Sequence, residues 1–358
     1  MTAEIDTFEE EFVPSGRGWL LFALLVVAFV CCCGLSLLLP YSRYVQYQQF
    51  TDDDLMFRSR WIYERIHYDS TPIDIAIIGS SRAEKGLSPS YLEKELSAEL
   101  GRPIHAVNFA LLMEGRSMQY VIAKELMESR PETRIILLSV VERDDLDHPA
   151  FRYLADAADV IESPLLINRY YLQNVAVLPY RQLNLFAQTL FPPWFGVSTS
   201  FRQDYWGTQF DPTYSFRAPS GKIADAYHVM PPDELEAGSA QILRDQGGPW
   251  HPHSRWYTLN NPLEQAFTEH LANDAKRDCV EVVMVYLPFY KSPPHNYNQA
   301  FYSRFGPLLD AQSLGGDPHD YMDEMHFNRY GVDRASPWLK DALQPYLEPL
   351  KNPQPCTK

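Results

Sequence analysis

The sequence predicts an α/β fold, a parallel sheet with helices on both faces, preceded by one N-terminal transmembrane helix and interrupted by an aromatic-rich insertion. Three observations predict it. Short apolar, β-branched runs alternate with amphipathic stretches, as in Ile73–Gly79 followed by Pro89–Leu100; such alternation packs as parallel strands covered by helices. Residues 18–39 carry no charge. Between about residues 150 and 260 the alternation stops, and Tyr, Phe, Trp and Pro dominate.

Composition limits the function classes. The chain has 358 residues, 46% of them hydrophobic, and a net charge of −15. It is long enough for one large domain or two ordinary ones and too apolar for disorder. Its charge opposes nonspecific binding to nucleic acid or to an anionic membrane face. Of five cysteines, Cys31, Cys32 and Cys33 are consecutive inside the apolar run, leaving Cys279 and Cys356 with no CxxC pair. Neither a disulfide-dense domain nor a cysteine metal site is indicated.

The run Gly18–Leu39 is closed by Pro40 and flanked by Trp19 and Tyr41. A helix of that length crosses a hydrocarbon layer of ~30 Å, and ring side chains favour its edges. The preceding residues are acidic and no A-x-A site follows, so the run reads as a retained span (residues 18–40) after a short tail (1–17) rather than a cleaved leader. Arg17 precedes it, whereas Arg43, Arg58 and Arg60 follow. That bias alone leans toward a cytoplasmic C-terminal domain.

Residues 41–72 read as a linker or an amphipathic segment leading to the first strand, and 73–350 as the domain. Strands are expected at 73–79, 104–109, 134–141 and 281–287. Ser88 and Pro89 mark a helix start, and further helices are expected at 117–130, 262–277 and within 331–347. The insertion, 150–260, reads as a cap whose aromatics fill a small core or stack on sugar rings.

Ligands of open parallel sheets bind beyond the carboxyl ends of the strands. The first strand ends in Gly79-Ser80-Ser81-Arg82, and near the C-terminus stands Asp323-Glu324-Met325-His326-Phe327-Asn328-Arg329-Tyr330-Gly331. A serine hydroxyl becomes a nucleophile when an imidazole takes its proton, and that imidazole needs a carboxylate to fix its tautomer. Asp317 and His319 form a rival pair. His251 and His253 with His295 or His319 lack an acidic partner at ligand spacing, so no metal and no cofactor are expected.

These two blocks resemble the SGNH (GDSL-like) hydrolase superfamily, in particular its membrane-anchored DltD-like and polysaccharide O-acetylation branch. The resemblance covers about 73–141 and 281–345. It implies a flavodoxin-like SGNH sandwich, with Ser81 as nucleophile, His326 as base and Asp323 orienting the ring. It further implies an oxyanion hole from the amide of Ser81 and that of Ala110 or Gly115, in the block Asn108–Gly115. The family's third donor, an asparagine after the third strand, is replaced by Val141-Glu142-Arg143-Asp144, which leaves Arg82 or Arg143 as substitutes and Asn108 as support. The expected activity is transfer or hydrolysis of acyl groups, O-acetyl above all, on a cell-surface or exported polysaccharide. The alternatives are a carbohydrate esterase and a non-catalytic scaffold of envelope polysaccharide assembly. A multispanning membrane acyltransferase is the implied donor partner, and the outer face of the inner or plasma membrane the implied location, against the lean of the charges.

Overall fold

The computed structural model describes residues 16–142, 147–163, 168, 170–202, 204–245, 262–294 and 298–351. The predicted strands form because both of their faces are apolar, which only a doubly covered sheet can satisfy. Among the described residues the strands are β1 (Ile75–Ile78), β2 (Ala106–Asn108), β3 (Ile135–Val140), β4 (Phe216–Arg217), β5 (Ile223–Ala224), β6 (Glu281–Tyr286) and β7 (Leu308–Asp310). Five of them make one sheet in the order β2-β1-β3-β6-β7, with every pairing parallel. β4 and β5 form a separate antiparallel hairpin. Without the hairpin the order is that of a doubly wound sheet whose direction of growth reverses between β1 and β3.

Side chains alternate between two apolar layers. Ala76, Ile78, Ile136, Leu138, Met284 and Tyr286 face one layer, with Trp61, Ile62, Val121 and Phe267. Ile75, Ile77, Ile135, Leu137, Val283 and Val285 face the other, with Leu92, Leu96, Val332 and Leu339. Each such aliphatic side chain contributes roughly 1.5–3 kcal/mol on burial. Of the expected helices, Pro89–Leu100 starts as read: Ser88 caps it by accepting from the Tyr91 amide, and Pro89 stands at its first turn. Helices also run over Arg116–Ser129, Pro262–Arg277 and Arg329–Ala342. The short edge strand β7, the hairpin and the helix Ser81–Gly86 lie outside the sequence expectations.

Segment 41–72 is packed into the body as amphipathic helices and is not a free linker. It holds helices Arg43–Tyr47 and Arg58–His67, and Tyr44, Val45, Trp61 and Ile62 are in the core. Four of its charged residues, Arg58, Arg60, Glu64 and Arg65, are buried. Arg58 donates to the carbonyls of Ala110 and Asn108, and Arg60 pairs with Glu64 at 2.8 Å. The insertion packs on both layers, through Phe151 and Leu154 on one and Leu235 on the other. Trp206, Phe210 and Phe216 pack ring against ring within it, and Phe57 and Trp61 of the preceding segment join them through Trp206 and Phe210.

The apolar run forms a helix over Gly16–Ser36, long and apolar enough to cross a membrane and unburied over its most apolar window. Residues 37–39 form a turn before Pro40.

Candidate active site

The rim at the carboxyl ends of β1 and β3 is shaped by Gly79. A Cβ on Gly79 would stand 2.2 Å from the Cβ of Ser139 and 2.9 Å from that of Ala83, far inside contact distance. Only glycine lets β1 end this close to β3 while the chain turns straight into the helix Ser81–Gly86. Ser81 is the first residue of that helix, after Ser80 in extended conformation. Its amide therefore lacks an intrahelical carbonyl, and the hydroxyl stands at the partial positive end of the turn.

The opposite wall is a tight turn closed by the bridge between Tyr321 and Phe327, with the Met322 amide donating to the His326 carbonyl at 3.0 Å. Tyr321 and Phe327 are buried, their rings 4.9 Å apart, so the turn is anchored in the core. Asn328 ends it by capping the following helix: it accepts from the Gly331 amide and donates to the carbonyls of His319 and His228.

These two elements bring together residues 245 positions apart in the chain. His326 Nε2 lies 2.6 Å from Ser81 Oγ, and His326 Nδ1 lies 2.8 and 2.9 Å from the two oxygens of Asp323. An ionised carboxylate can only accept. Nδ1 therefore carries the proton, and Nε2 accepts the hydrogen of the Ser81 hydroxyl. Asp323 Oδ1 also accepts from the backbone amides of Met325 and His326, at 2.8 and 2.9 Å. Burial alone would raise the Asp323 pKa, but the hydrogen bond and charge of His326 and those two amides outweigh it and hold the carboxyl below its ordinary value. The carboxylate is thus ionised where it must stabilise an imidazolium. The arrangement can withdraw the Ser81 proton and return it to a leaving group.

The expected oxyanion donors fare differently. The amide of Ala110 already donates to Asn108 Oδ1 at 3.0 Å, which corrects the assignment of Ala110. Asn108 Nδ2 donates to the carbonyls of Ala83 and Leu87 at 2.9 and 2.8 Å. It ties the helix Ser81–Gly86 to the end of β2. Gly115 opens the helix Arg116–Ser129 with φ +146°, and a Cβ there would meet His148 Cβ at 2.4 Å. Its glycine is required by the packing of His148, a role independent of any oxyanion.

Arg82 is also corrected as a donor. Its guanidinium is buried in a two-pronged pair with Glu142, at 2.8 and 2.6 Å, both side chains being 2% exposed. Tyr286 donates to the same carboxylate at 2.7 Å. Burial would lower the arginine's pKa, but Glu142 more than reverses this. The pair staples the ends of β1, β3 and β6 beneath Ser81. Opposite charges directly after neighbouring parallel strands were visible in the sequence; Tyr286, at the end of an apolar run, carried no signal. Arg143 lies outside the described residues, as do His251, His253, His295 and Cys356. In the rival pair, Asp317 accepts from the His319 amide and from Arg334, while the His319 ring packs on Tyr330 at 4.3 Å.

Cys279 is disulfide-bonded, whereas Cys31, Cys32 and Cys33 are free thiols. No protein-family model matches this chain, and no curated protein sequence matches it either.

Proposed function

We propose that the chain is a membrane-anchored, extracytoplasmic serine enzyme of SGNH type that transfers or hydrolyses acyl groups, O-acetyl above all, on a cell-surface or exported polysaccharide. The observation that carries this reading is the continuous relay from Ser81 through His326 to Asp323 at the carboxyl rim of the sheet. Ser81 Oγ attacks the acyl carbonyl as its proton passes to His326 Nε2. The tetrahedral oxyanion takes hydrogen bonds from backbone amides, that of Ser81 first. Collapse expels the alkoxide, which takes the proton from His326 and leaves an acyl-serine. A sugar hydroxyl or a water then gives its proton to His326, attacks the acyl-serine and restores Ser81.

Two further observations support the setting. A disulfide at Cys279 belongs to an oxidising compartment, which favours the outer face over the placement suggested by the flanking arginines. A hollow of about 410 Å³, lined in part by Phe57, Trp61, Trp206, Arg60, Arg202 and Asp204, combines ring faces with charged groups, as a sugar requires. The same aromatic cluster reaches the nucleophile's helix, where Lys85 lies 4.7 Å over the Phe216 ring. A multispanning acyltransferase would supply the acyl group if the reaction is transfer.

The test is labelling of the full chain in detergent by a fluorophosphonate. Labelling that disappears in Ser81→Ala and His326→Ala, with melting temperatures within a few degrees of the parent, supports the enzyme. Absence of labelling in the folded parent overturns it in favour of a scaffold. Release of acetate from an acetylated glycan in water would make the activity that of an esterase.

A further inference from the structure

The helix Tyr171–Leu190 has its polarity reversed. The side chains it buries are Asn174, Leu178, Arg181, Gln182 and Leu185. The apolar ones Leu172, Tyr180, Leu183 and Leu190 are 76%, 72%, 51% and 54% exposed. With Ala176 and Ala187 they recur every three to four residues, one continuous stripe on one face of the helix. Asn174 donates to Asp147, and one terminal nitrogen of Arg181 donates to the carbonyls of Arg152 and Ala155, while its other two nitrogens are buried with no hydrogen-bond partner among the described residues. Arg181 is also the helix's only charged residue. A helix in contact with water carries its polar side outward; this one does the opposite over ~30 Å of its length.

The stripe continues into the turn Phe191–Gly196. There Phe191, Trp194 and Phe195 are 46%, 81% and 45% exposed, and the rings of Phe191 and Trp194 stack at 4.9 Å. The whole surface adjoins the exit of the N-terminal helix. Gln182 donates to the Leu39 carbonyl at 2.5 Å, and the Ser42 amide donates to Thr189 at 2.9 Å. The N-terminal helix itself packs on this one.

We propose that this face is a lipid-docking surface: the helix 171–190 and the turn 191–196 lie in the interfacial layer of the bilayer that the N-terminal helix crosses. The inference rests on reading Gly16–Ser36 as a span. The occupant follows from continuity, because the exposed stripe is hydrogen-bonded to the residues at which a span emerges and must share that depth. Tryptophan and tyrosine favour that layer. The lack of exposed charge fits insertion driven by apolar area rather than by anionic lipid.

The test places the full-length chain in phosphatidylcholine vesicles containing no other protein, with some lipids brominated near the head group or near the acyl end. The expected result is a fraction of tryptophan emission quenched more by shallow than by deep bromine, which shrinks in Trp194→Phe to the share of Trp19 and is unchanged in Trp206→Phe. Unchanged quenching in Trp194→Phe overturns the proposal and leaves a membrane-protein partner as occupant of the face. Trp19→Phe separates this from failure of the span: if the chain does not float with the vesicles and Trp19 contributes no quenched fraction, the span reading falls first and the docking surface with it.

Discussion

Removing Glu142 tests whether the buried charge pair beneath Ser81 is structural or catalytic. Glu142 accepts from both terminal nitrogens of Arg82 and from Tyr286, and all three groups are buried. Glu142→Ala leaves a guanidinium without its counter-charge in a dry site, which costs ~3–5 kcal/mol. Tyr286 retains a partner in Ser292 at 3.3 Å and adds little to the loss. For a domain of this size the expected fall in melting temperature is roughly 6–20 °C. The companion Arg82→Met with Glu142→Leu exchanges the pair for apolar volume, and such exchanges are often neutral or stabilising. The assay is a double-variant cycle of Arg82→Met, Glu142→Leu and their combination, read by thermal melting, with fluorophosphonate labelling of the native fraction alongside. The expected outcome is strong coupling and a double variant that melts near the parent and still labels at Ser81. Additive effects on melting would refute the pairing argument. A double variant that folds but labels ~10²–10³-fold more slowly would show that Arg82 stabilises the oxyanion after all.

Three further outcomes are expected. Asp323→Asn keeps the turn, because its amide oxygen still accepts from Met325 and His326, but it presents a donor to His326 Nδ1; labelling falls by ~10³–10⁴ while the melt holds, and a loss under tenfold would remove Asp323 from the relay. Gly79→Ala drives a methyl into Ser139 and lowers the denaturant midpoint by an amount equal to ~1–3 kcal/mol or more, which Ser139→Gly partly restores; an additive double variant would refute the steric account. Burial pushes the His148 imidazole down to about 4. Because its ordinary value is ~6.5, the unfolded chain takes up a proton that the folded chain refuses, so stability is full above that pH and falls by ~3 kcal/mol in all as pH drops through the window to about 4. Urea titrations across that range should show a shallower slope in His148→Gln, and an unchanged slope would place the acid sensitivity elsewhere.

The strands were readable because β1, β3 and β6 are apolar on both faces, a pattern that leaves few alternatives. The relay was readable because each half sits in a short local motif, Gly79–Ser81 and Asp323–His326, whose chemistry demands the other. What escaped were features set by contacts distant in sequence. Arg58, Arg60 and Glu64 look solvent-facing in a row, and it is the Ala110 and Asn108 carbonyls, Glu84, Asp204, Tyr44 and the Arg60–Glu64 pair that hold them in place. The bond from the Ala110 amide to Asn108 Oδ1 is likewise invisible along the chain. β7, three residues long with one of them buried, owes its existence to β6 beside it rather than to its own pattern.

The absence of slack after Pro40 has a mechanical consequence. The Ser42 amide is held by Thr189, and Arg43 by Glu125 and the Leu154 carbonyl, so the chain passes from the apolar N-terminal helix into the folded body within a few residues. Under the proposed function, a catalytic head built this way would have no tether on which to swing. Ser81 would stay at one altitude above the bilayer, and a polymer passing at another height would go unmodified however mobile it was.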